Sequence, residues 1–245
     1  MKQTNESSVL KMLSRWSLLP VLFTVCLIAT MSVVLGNAGD APEMIAIFYG
    51  GLENPALIRV LGFVIVGLWI SIGGFLLLFA CQLMRTDQPK AIILAVLGLG
   101  VSVAGTLGGF HQLTIQSDLI ARYTEASAAV QAILIEQVPG VLQTVEAHLE
   151  TAELFSYLGF FVFAWSLGSI SAIPSWFRVY AWGLNIVEFA SLLLRMGGVE
   201  MPFITFPLFV ALDLTFNVSA SVIFFKWAKK ETVQIQQAVR MESAS

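Results

Sequence analysis

Charge is what this chain has least of. Only 12% of its 245 residues are Asp, Glu, Lys or Arg, about half the ~25% of an ordinary soluble domain. So few charges cannot cover a water-facing surface, and the shortage argues against a soluble globule. Cysteine is nearly absent too. Cys26 and Cys81 fall at different depths of different apolar runs and form no Cys-x-x-Cys pair, which argues against a disulfide or thiol redox role. The sequence contains no P-loop, dinucleotide fingerprint, His-Glu-x-x-His or Gly-x-Ser-x-Gly motif. It offers no nucleophile–base pair at matched depth either, so an enzyme ranks behind the non-catalytic readings, and no cofactor is expected. The net charge is −3, and nothing in its distribution points to nucleic acid.

What the chain has instead is apolar length. Hydrophobic residues make up 57% and mean hydropathy is +0.83. Six runs are long enough for the ~20 residues that a spanning helix needs, at about 17–36, 59–83, 91–111, 154–173, 176–195 and 202–226. They are continuously apolar rather than alternating, which argues for helices and against a barrel. The expected fold is therefore an all-α, polytopic membrane protein: one membrane domain over 1–245 with six transmembrane helices in the lipid bilayer. A cleaved signal peptide ending near Gly36-Asn37-Ala38 is the rival at the N-terminus. Its apolar run of ~20 residues exceeds the usual 7–15 of a signal core.

The few cations set an orientation. With the N-terminus inside, Lys2, Lys11, Arg15, Arg85, Lys90, Arg178, Lys226, Lys229, Lys230 and Arg240 are cytoplasmic, and only Arg59, Arg122 and Arg195 lie outside. Ten against three predicts a multi-pass cell-membrane protein with both termini in the cytoplasm. The outer loops are acidic. The longest, 114–153, carries two amphipathic helical patterns separated at Pro139-Gly140, and is expected to form two helices on the outer surface. Residues 227–245 form a cytoplasmic tail. Gly67-x-x-x-Ser71, Gly98-x-x-x-Ser102 and Gly105-x-x-x-Gly109 mark faces where helix backbones can approach closely, within the chain or in a homo-oligomer.

The stretch HLETAELFSYLGFFVFAWSLGSISAIPSWFRVYAWGLNI resembles a bacterial six-helix membrane family catalogued as a domain of unknown function. The likeness covers about residues 146–187 and rests on a Gly- and Leu-rich span ending in a Pro-x-Trp turn. It implies the six-helix layout and no reaction.

Against this apolar background, two carboxylates stand alone: Glu188 in the fifth span and Asp213 in the sixth. Insertion scales put a charge at mid-bilayer at ~2.5–3.5 kcal/mol, so such residues face a partner or a cavity. Asn185 and Asn217 match them in depth. Arg178 and Arg195 share the stripe of Asn185 and Glu188 by spacing. The four central residues point to a proton, cation or polar-ligand site, with a hydrogen-bonded helix clamp as the structural alternative. The functional reading is a small transporter-like or ligand-binding protein. The rival is an accessory or regulatory subunit that binds another protein through its outer helices. His111 and His148, with Glu150 and Glu153, are residue types that can bind zinc. His148 and Glu150 are only two apart and diverge on a helix, so a solvated acidic face is preferred and no metal is expected.

Overall fold

The computed structural model describes residues 2–37, 43–84, 86–199 and 205–242. Among them every regular element is helical: α1 (Lys2–Trp16), α2 (Leu19–Gly36), α3 (Glu43–Glu53), α4 (Pro55–Leu83), α5 (Gln88–His111), a π-helical segment (Gln112–Gln116), α6 (Ser117–Glu125), α7 (Ala128–Leu167), α8 (Ser175–Met196) and α9 (Thr205–Glu242). Among the described residues six helices are long and apolar enough to cross a membrane. A helix satisfies its own backbone groups, which a lipid environment cannot do for it. Residues 202–204 of the expected sixth span, Arg85, Asp40 and Glu200 lie outside the described residues.

The chain forms two compact units. One comprises Met1–Val21, Ser71–Gly100 and Leu154–Ser245. Its core is aromatic. Phe79 meets Phe163 at 4.6 Å, Phe75 meets Phe163 at 5.4 Å, and Phe177 stacks on Phe216 at 5.3 Å. Phe224 joins Phe75 at 6.0 Å. These rings tie α4, α7, α8 and α9 together, and each such pair adds about 0.5–1.5 kcal/mol beyond its burial.

The N-terminal helix belongs to this unit as well. Ser221 Oγ donates to the Ser14 carbonyl at 2.7 Å, and the hydroxyls of Ser7 and Thr232 bond at 2.8 Å. Trp16 Nε1 donates to the Ser71 carbonyl at 2.7 Å. Helix α9 therefore continues without a break into the expected tail, where Ala228 is buried.

The other unit comprises Leu22–Ile70 and Val101–Glu153. Val34, Phe48, Ile58, Leu119, Ile120, Leu134 and Val138 form its core. Here α4 and α5 approach closely: a Cβ added at Gly62 would lie 2.9 Å from the Gly109 carbonyl, and one at Gly109 would lie 2.9 Å from the Gly62 carbonyl.

The segment 114–153 differs from expectation. No break occurs at Pro139-Gly140: α7 runs from Ala128 through Pro139 to Leu167. The interruption falls at Ala126, whose backbone is extended (φ −83°, ψ 152°). Leu134, Val138, Val145 and Ala152 are buried on one face, and that apolar phase continues across the proline. Packing along this face overrides the local preference of Pro139 to end a helix.

Candidate functional site

Helices α8 and α9 are held in place by their ends. Pro174, with extended backbone (φ −61°, ψ 143°), starts α8. The Arg178 guanidinium donates to the carbonyls of Ile170 at 2.8 Å, Ile173 at 2.9 Å and Gly168 at 3.4 Å, closing the turn after α7. At the far end, Val199 N–H bonds to Leu194 and Gly198 N–H to Arg195. This is a Schellman ending, and it needs the positive φ of 77° that Gly198 adopts.

Along α8, the residues Phe177, Ala181, Leu184, Asn185, Glu188, Ser191 and Leu192 are buried, a stripe with helical period. Glu188 lies eight residues before Met196, and Asp213 eight residues after Thr205. Their side chains come within reach of one another. An ionised carboxylate only accepts, so a hydrogen bond between the two would need a proton carried by one of them. One turn along α8 is Asn185, 3% exposed, whose amide nitrogen and oxygen have no hydrogen-bond partner among the described residues. Asn217 donates instead to the Asp213 backbone carbonyl at 2.9 Å, within its own helix.

The spacing of α8 had aligned Arg178 and Arg195 with this stripe. In the fold Arg178 is occupied with the 168–173 carbonyls, and Arg195 sits in the exposed last turn of α8. Tyr180 is the neighbour that sequence reasoning passed over. Its hydroxyl donates to the Leu212 carbonyl at 2.7 Å, next to Asp213. The signal was available, since Tyr180, Leu184 and Glu188 recur at steps of four. A hollow of about 450 Å³, lined by Asp87, Ser169, Trp227 and Lys230 among others, lies further along α9. Trp227 is about 21 Å from Asp213 at 1.5 Å per residue.

In the other unit, His111 and His148 have ring centroids 4.8 Å apart. Neither Glu150 nor Glu153 joins them, since no three of His, Cys, Asp or Glu converge among the described residues. The π-helical segment that begins beside His111 buries Gln112 and Gln116. Their i, i+4 spacing in HQLTIQS is the sequence signal for this polar face.

Together these features describe an all-helical chain whose described residues include six helices long and apolar enough to cross a membrane, as in a multi-pass membrane protein. Compared with protein-family models, curated proteins and solved structures, the chain matches none, so the site is read from its own chemistry.

Proposed function

We propose that the chain is a small transporter-like or ligand-binding membrane protein that works through a proton- or cation-exchanging centre at Glu188, Asp213 and Asn185. What supports this reading is the proximity of two acidic side chains on neighbouring apolar helices, beside the buried Asn185 amide, which has no hydrogen-bond partner among the described residues. A proton held between two acids can be given up when a cation or a polar group enters and takes over its bonds. Asn185 supplies one donor and one acceptor for the incoming group. Tyr180 is tied to the Leu212 carbonyl of the neighbouring helix and sets the register of the two, so it acts as a positioning residue.

The test is infrared spectroscopy of the purified protein across a pH and sodium titration. A protonated-carboxyl band that disappears on alkalinisation or on adding the cation, and that is lost in Glu188→Gln and in Asp213→Asn, supports exchange. A band that never responds would mean that the pair is a static clamp between α8 and α9, worth ~0.6–2 kcal/mol. Loss of folded protein in both variants, with an unresponsive wild type, would point the same way.

A further inference from the structure

We infer that His111 and His148 form a two-imidazole site for a divalent transition-metal ion, zinc or copper(II), separate from the carboxyl pair. The two residues come from helices that approach closely: a Cβ added at Gly108 would meet the Leu149 side chain at 2.8 Å and His148 Cβ at 3.4 Å. Glycine at 108 is what lets the rings become neighbours.

Each ring is fixed in the same way. His111 Nδ1 bonds the Leu107 carbonyl at 3.1 Å, and His148 Nδ1 bonds the Thr144 carbonyl at 2.7 Å. A carbonyl can only accept, so both Nδ1 atoms carry the hydrogen and both Nε2 atoms carry the lone pair. This is the tautomer of a metal-binding imidazole whose other nitrogen is held by a backbone carbonyl. The spacing agrees too. With Zn–N of ~2.0–2.1 Å each ring centre sits about 3.2 Å from the metal, so tetrahedral geometry sets two centres ~5 Å apart. The observed separation is 4.8 Å.

Both side chains are half-exposed, so water can reach the metal and complete its coordination. A hollow of about 340 Å³ opens beside His111, lined also by Gln137, Val141 and Thr144. The π-helical segment starts at the next residue, Gln112, and such segments concentrate at functional sites.

The experiment uses the full chain in detergent, purified through a tag without histidine. Copper(II) is added and followed by electron paramagnetic resonance, and thermal unfolding is recorded with and without zinc. The expected result is one ion with two imidazole nitrogens, and zinc stabilisation of the wild type. His111→Gln and His148→Gln should each leave one nitrogen. They should bind more weakly by at least the roughly ten-fold that losing even an outer-shell partner costs, and should lose the zinc effect while melting normally without metal. A wild-type spectrum with fewer than two imidazole nitrogens would overturn the site. So would equal binding by the wild type and the double variant. The wild-type spectrum decides the matter even if a variant folds poorly.

Discussion

Tyr180 of α8 donates its hydroxyl to the backbone carbonyl of Leu212 at 2.7 Å, the residue immediately before Asp213. It reaches across the helix pair and fixes the turn of α9 that presents the acid. The Phe177–Phe216 stack at 5.3 Å joins the same two helices. Tyr180→Phe keeps the ring packing and removes the bond. It should lower stability by about 0.5–1.5 kcal/mol, read as a shift in thermal unfolding in detergent. An unchanged melt would show that the bond contributes nothing to the pairing of α8 with α9.

The reciprocal approach of Gly62 and Gly109 leaves no space for a side chain. Gly109→Ala and Gly62→Ala should each destabilise the protein by about 1–3 kcal/mol through overpacking. By contrast, Gly140→Ala, where an added Cβ meets nothing within 4 Å, should be tolerated or mildly stabilising. Comparing the three melts checks the close approach directly.

The hydroxyls of Ser14 and Ser221 lie 3.4 Å apart, near enough for a disulfide once both are cysteine. In a chain with Cys26 and Cys81 replaced by alanine, Ser14→Cys together with Ser221→Cys should cross-link under mild oxidation. The band shift should be absent from either single variant. Failure to cross-link would dismiss the docking of α1 on α9.

Asp87 starts α5. Its carboxylate accepts from the Lys90 side chain and backbone N–H, and the side-chain bond to Lys90 holds it below the usual carboxylate range. A carboxyl depressed in the fold stabilises the protein above its unfolded pKa, and that contribution fades as the pH falls through the folded value. The melting difference between wild type and Asp87→Asn should thus be present at neutral pH and shrink below about pH 3.9. A gap that persists in acid would argue against the ion pair.

Much of the architecture was legible because the bilayer acts on composition. A charge-free run of twenty or more residues has no stable alternative to a helix in lipid, and each of the six expected spans overlaps a long apolar helix. Residues 168–173 of the fourth, however, form the turn after α7, and 202–204 of the sixth lie outside the described residues. The ends were less legible. Proline at 139 reads as a stop from local preference, yet the apolar phase of Leu134, Val138 and Val145 extends through it and α7 continues. At the polar centre, the isolation of Glu188 and Asp213 in apolar surroundings marked them, and the short connection between their helices made them neighbours. The spacing of Arg178 gave no sign that its guanidinium would be taken up by three backbone carbonyls.

The sequence by itself determined that the chain is helical and multi-pass, because scarcity of charge and length of apolar run are properties that each segment carries alone. Only the tertiary structure decided which polar groups meet. Glu188 and Asp213 are 25 positions apart, and His111 and His148 are 37 apart. Each pair touches because small residues and capped turns set how closely and at what register two helices pack. That register is a property of two surfaces together, which no single run of residues encodes.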